Sequence, residues 1–344
     1  MATVVDSTED RDELVKSLSR SLQSGRINFL LGSGASLPGI PLAGAIEQEV
    51  ADLFEAGNED EAIKRLCQFA AGIQEPTNKL ITGIADANNT ATLDGYVAFL
   101  ATLERLVSER QSTLLPKQVT IFTTNYDLFI EKAAASACPI LRLNDGFGTT
   151  STFDRPLHFS SRNFFNVTYN TSNLYDYQVE IPSANLIKLH GSLSWHKAGD
   201  DIVFGVATKT LPPTPSARPE QELFIKEFSV VLPRTTKFRE TLVDSTYYDL
   251  LRIYNNELDR PNCLLIAFGF SFADEHILGI TKRALKNPTL RLVVFAYDAA
   301  AADQYKAIFQ EHNNVQVVAP SGGETIGFGT FNGILKDCFT QNAE

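Results

Sequence analysis

The chain has 344 residues, 44% of them hydrophobic and 21% charged, with a formal charge of -11. That length and composition fit one large globular domain with a substantial core. The acid excess disfavours direct binding to nucleic acid or anionic membrane, and no window reaches the roughly 18 unbroken apolar residues of a membrane span.

The N-terminus "MATVVDSTEDRDELVKSL" has no basic start followed by an apolar stretch, so no signal peptide and a cytoplasmic protein are expected. "STEDRDELVKSLSRSLQSGR" predicts a helix: Ser7 and Asp10 have capping-box spacing, Leu14, Leu18 and Leu22 form a stripe, and Gly25 is a stop. "INFLLGSGAS" predicts a strand running into a Gly-Ser-Gly turn, and "LAGAIEQEVADLFEAG" the helix after it. Residues 57–115 carry helix-period apolar faces and are expected to form an inserted helical subdomain. "QVTIFT" is the next buried strand, "DLFIEKAAASA" a helix and "PILRL" a short strand. Residues 144–184 are polar and aromatic with little periodicity, so a loop is expected. "NLIKLH" and "DIVFG" are strands; residues 208–220 hold four prolines and predict an irregular loop. "STYYDLLRIYNNEL" is a helix. Then "CLLIAFGFS", "LRLVVFAYD" and "VQVVAP" read as strands, alternating with the helices "DEHILGITKRALK", "AAADQYKAIFQEH" and "FNGILKDCF". The alternation predicts an α/β fold, a Rossmann-like doubly wound parallel sheet.

Five stretches end predicted strands on polar residues, and each has a plain structural alternative. In "LLGSGAS", Gly32 and Gly34 let the backbone approach a ligand, and Ser33 and Ser36 add hydroxyls. Leu37 stands where a third fingerprint glycine belongs, and a tight turn without a ligand is the alternative. "FTTNYD" presents Thr123, Thr124, Asn125 and Asp127. The Asn125 carboxamide can hold a ribose hydroxyl or a water, whereas Asp127 can simply cap the next helix. In "NLIKLHGSLSW", His190 ends an apolar run, either as a base or as an imidazole satisfied by backbone. "FGFSFADEHI" places Gly269 and Ser271 for a phosphate or ribose, with Asp274 as a helix cap; "FAYD" places Asp298 for ribose hydroxyls or as a surface cap. "FGFSF" lacks the glycine of a hydrolase elbow. Cys67, Cys138, Cys263 and Cys338 form no close pair, so buried reduced thiols are expected and no metal site.

Parallel strands bring these ends to one sheet edge. The order GSGAS, TTNYD, LHGS and a late Gly-x-Ser turn resembles the sirtuin (SIR2) superfamily, from about residue 27 to about 298. The chain departs from the protein deacylases of that family: "GIPLAGA" stands without their Asp-Phe-Arg, and their two zinc-binding cysteine pairs are absent. What remains is similar to bacterial SIR2-like NADases of anti-phage defence. The resemblance implies one SIR2-like domain over 1–344, with helical (57–115) and loop-rich (195–245) insertions. It implies NAD+ as substrate, no metal, a homo-oligomer, and a partner such as a HerA-type ATPase or a short Argonaute. It also implies roles. Asn125, Asp127 and His190 would be catalytic. Gly32, Ser33, Gly34, Ser36, Thr124, Gly269, Ser271 and Asp298 would hold the dinucleotide. A NAD-dependent deacylase or ADP-ribosyltransferase, or a subunit that binds NAD+ or ADP-ribose without turnover, is the alternative.

Overall fold

The computed structural model describes the chain except residues 43–45, 85, 111–114, 138–139, 149–155, 172–176, 200, 214–215, 227–241 and 341–344. Eight parallel strands form the central sheet. They are β1 (Thr3–Asp6), β2 (Arg26–Leu31), β3 (Gln118–Thr123), β4 (Arg142–Asn144), β7 (Ser183–Lys188), β10 (Cys263–Phe268), β11 (Leu290–Phe295) and β12 (Val315–Ala319), in the order β1-β12-β11-β10-β2-β3-β7-β4. The expected doubly wound α/β sheet is therefore present, with β1 as an edge strand that the sequence reading missed.

The apolar runs split by parity, because successive strand residues point to opposite faces. Phe29, Leu31, Ile121, Leu186 and Ile266 join one core. Leu30, Phe122, Ile187, Leu265 and Ala267 join the other. The first core is covered by α1 (Arg11–Ser24), α2 (Ile46–Glu55), α3 (Glu59–Thr82), α4 (Ala87–Ser108), α5 (Phe129–Ala137) and α10 (Phe328–Thr340). The second is covered by α7 (Leu242–Leu258), α8 (Glu275–Ala284) and α9 (Ala299–Ile308). Strands buried on both faces need such continuous apolar sequence, which is why they were legible. Each fully buried Phe or Leu contributes roughly 1.5–3 kcal/mol of transfer free energy.

Several local expectations are corrected. The Ser7–Asp10 capping box does not form: α1 starts at Arg11 with Asp10 making no side-chain cap, and the Asp10 carboxylate instead accepts from the Asp6 amide. The glycine turn takes 3-10 form, Ser33–Ser36, and the helix expected over "LAGAIEQEVADLFEAG" is present as α2. The helical stretch within 57–115 is α3 and α4, whose Leu66, Phe99 and Leu103 are buried in the same core as β2 and β3. Residues 144–184 include a 3-10 turn (Ser161–Phe165) and a small hairpin of β5 (Tyr169–Thr171) and β6 (Gln178–Glu180). "DIVFG" becomes β9 (Asp201–Phe204), antiparallel to β8 (Trp195–Ala198). The proline-rich segment ends in a helix, α6 (Arg218–Lys226), rather than a loop; Arg218 reaches Asp60 and Glu59 at the start of α3. Cys67, Cys263 and Cys338 are buried thiols outside any disulfide, and Cys138 lies outside the described residues.

Candidate functional site

Register places the four motifs at one level. Leu31 pairs with both Thr123 and Phe268, and Thr123 pairs with Lys188. Gly32, Thr124, Leu189 and Gly269 therefore leave the sheet side by side. From β2 the chain proceeds to β3 on one side, while β10 to β12 lie on the other. Open α/β sheets bind ligands at that reversal, outside the carboxyl ends of the strands.

The two turns at the reversal interlock. The Gly32 amide donates to Phe268 O (3.1 Å), the Gly34 amide to Gly269 O (3.0 Å) and the Ala35 amide to Gly32 O (3.0 Å). A Cβ on Gly32 would lie 2.4 Å from Gly269 O, and one on Gly34 2.8 Å from Gly269 Cα. Gly269 itself has φ +64°. Glycine is thus demanded by the packing of one turn on the other. This corrects the expected cradle of free amides at Gly32 and Gly34, because both amides are already spent. Ser33 remains half-buried on the turn. Ser36 is also corrected as an outward donor: it is buried and its hydroxyl donates inward to Asp127 Oδ2 at 2.8 Å.

Behind the turn lies a buried polar network. Asn125 Nδ2 donates to Gly32 O (2.9 Å) and Ser36 Oγ (3.0 Å), and its backbone amide donates to Thr123 Oγ1. Both amide protons are used, so the carboxamide is oriented, and among the described residues Oδ1 has no partner. Asp127 Oδ1 accepts the Phe129 amide at 3.2 Å, the expected cap of α5, while Oδ2 holds Ser36. Asp127 therefore acts on Asn125 through the Ser36 hydroxyl. Since Ser36 gives its only proton to a carboxylate, Tyr96 on α4, 3.0 Å away, must be the donor to Ser36. Burial raises the Tyr96 phenol far above its ordinary value, so it stays protonated. Lys188 Nζ donates to Asp127 O and pairs with Glu131 Oε1 at 2.9 Å. Burial raises the Glu131 carboxyl, and Lys188 pulls it partly back. Thr124 is half-buried at the strand end.

His190 is buried beside the rings of Tyr126 and Tyr247. Its Nε2 lies 3.0 Å from Asp274 Oδ2, but Nε2 has no aligned hydrogen bond. The pair is a close contact whose N–H direction is off axis, as catalytic pairs often are before a ligand closes them. Asp274 Oδ1 caps α8 by accepting the Ile277 amide at 2.9 Å. Burial pushes the Asp274 carboxyl up, but His190 and that amide outweigh it and hold it below the usual range. Nδ1 of His190 has no hydrogen-bond partner among the described residues.

The remaining expected residues are peripheral to this arrangement. Ser271 is exposed and accepts the Ala273 amide at 3.4 Å. Asp298 caps α9, with Oδ1 accepting the Ala301 amide at 2.8 Å, so one oxygen of the expected ribose ligand is occupied. Tyr96, Lys188 and Asp274 were not singled out as site residues. Lys188 carried a signal, a charge inside the apolar run "NLIKLH". A cavity of about 380 Å³ is lined by Arg26, Gln118, Thr120, Asn185 and Glu257. It opens at the strand starts, the edge opposite the motifs, so cavity size does not mark the chemistry here. Among the described residues no cluster of three or more His, Cys, Asp or Glu side chains could hold a metal ion, and no helix is long and apolar enough to cross a membrane. A family profile described as "SIR2-like domain" matches residues 119–318, more than half of the chain. No curated protein matches it.

Proposed function

The chain belongs to the SIR2-like domain family, and from that premise we propose that it is a NAD+ glycohydrolase. The observation that carries this reading is the pairing of two unspent groups at one sheet edge. Asn125 Oδ1 and His190 Nδ1 stand at the ends of adjacent strands, the first on a carboxamide held through Nδ2 and the second on a ring whose Nε2 lies 3.0 Å from Asp274 Oδ2. In the reaction, NAD+ and water give nicotinamide, ADP-ribose and a proton. The C1′–N bond breaks with its electron pair leaving on nicotinamide. Asn125 accepts from a ribose hydroxyl or the water and fixes it for attack. His190 takes the proton released, acting as general base through its unspent ring nitrogen. The second turn, with Gly269 and Ser271, and the Asp298 oxygen left by its cap would border the adenosine half, with Ser33 and Thr124 nearest the diphosphate.

Deacylation is the weaker reading. The Asp-Phe-Arg stretch and cysteine pairs that shape an acyl-lysine site are missing from this chain. We also read the enzyme as a cytoplasmic anti-phage effector, working in a homo-oligomer and with a partner such as a HerA-type ATPase. An NADase that ran without control would exhaust its own cell. The exposed Phe165, Tyr169 and Tyr177 support an assembly surface.

The test is to incubate the chain with NAD+, alone and with an acetyl-lysine peptide, and to follow nicotinamide and ADP-ribose. Peptide-independent release is expected. His190→Ala and Asn125→Ala should each lower it at least about 10²-fold while keeping the parent's circular dichroism. Parent-like turnover in His190→Ala would overturn the reading, and release only with peptide would favour a deacylase.

A further inference from the structure

The Asp274 contact goes beyond the motif reading, in which that residue is only a helix cap. Its two oxygens are divided: Oδ1 holds the first turn of α8 through Ile277, and Oδ2 faces His190 Nε2 at 3.0 Å. Both side chains are largely shielded from water. The loop that delivers Asp274 is fixed by an unusual backbone. Phe272 has φ +58°, a region that bulky residues rarely adopt. Its ring is fully buried, edge-on to Phe270, Tyr305 and Phe309. Such outliers persist only where packing over-determines them, and they cluster at functional sites.

We propose that Asp274 is the positioning carboxylate of His190: it holds the Nε2 proton and leaves the Nδ1 lone pair unspent at the end of the strand. This rests on the reading of His190 as the base. When Nδ1 takes the proton from a ribose hydroxyl or water, the imidazolium forms against the Asp274 charge, and Asp274 itself stays ionised. The other groups around this pair do not compete for the role. Tyr126 and Tyr247 present rings to His190. Lys188 is directed to Asp127 and Glu131, and His276 acts on Asp274 only electrostatically.

Asp274→Asn tests this role, because asparagine is an equally good helix cap through Oδ1 but puts an NH2 donor where Oδ2 stood, removing both the charge and the acceptor for the Nε2 proton. The His190 imidazole is titrated by NMR in the full chain, its resonance assigned by its loss in His190→Gln. Its midpoint should fall by about one pH unit in Asp274→Asn. Asp86→Asn, the same change at the cap of α4, should leave it in place. NAD+ turnover should fall between about 10²- and 10⁴-fold, and any residual activity should show its acid limb at lower pH. If Asp274→Asn does not fold, Asp274→Ser keeps a cap and removes the charge. An unmoved His190 midpoint in the folded variant overturns the inference. A parent chain with no NAD+ turnover sinks the glycohydrolase reading alone, and the titration still decides the pairing.

Discussion

Lys188 is the residue whose loss should be felt most. It is nearly inaccessible, and its ammonium offsets the Glu131 carboxylate while holding the Asp127 carbonyl. Breaking a buried pair from one side leaves an uncompensated charge and costs about 3–5 kcal/mol. Lys188→Met should therefore lower the urea midpoint sharply, and Lys188→Met with Glu131→Leu should recover most of it. A single variant as stable as the parent would show that the pair carries no such cost. His190 and Asn125 were legible as polar side chains that close apolar strands. Asp274 was not: its cap is a local pattern, but its contact with His190 joins segments far apart in sequence. Ser36 looked like a ligand hydroxyl because nothing in "GSGAS" says that an aspartate from the loop after β3 lies beneath it.

At the scale of elements, α4 is more than a packing helix. Through one phenol it supports the serine that orients Asn125. Tyr96→Phe keeps the buried ring against Phe129 and Phe328 and removes one hydrogen bond. The expected loss is about 1 kcal/mol in urea unfolding. NAD+ turnover should fall by less than about tenfold, since each 1.36 kcal/mol is a factor of ten. The stripe on α4 identified it as helix, but a tyrosine in a core stripe gives no hint of a polar partner. β1 and α6 were missed for other reasons. β1 is four residues long and gains its order from β12. α6 follows a run of prolines and gains its place from the carboxylates of α3.

The molecule as a whole should respond to acid in two stages. Asp274, Asp6 and Asp86 have carboxyls lowered from 3.8 in the folded state. Groups of that kind stabilise above the unfolded value, and the benefit is lost as pH falls below it. Glu131 works in the opposite sense: its carboxyl is raised above 4.5, so its charge penalises the fold at neutral pH and protonation relieves it. Stability should ease between pH 7 and about pH 5, because burial holds the His312 imidazole below its ordinary value and its protonation costs the fold, then decline more steeply below pH 4, as read by urea midpoints across that range. Stability that rises from pH 7 to pH 5 would contradict this assignment of signs.

The seam between Gly34 and Gly269 has a consequence for anyone rebuilding this scaffold. Each turn is shaped by the bare backbone of the other, so neither can be transplanted alone from a related sheet. The loops after the second and tenth strands behave as one cassette, to be exchanged together or left untouched.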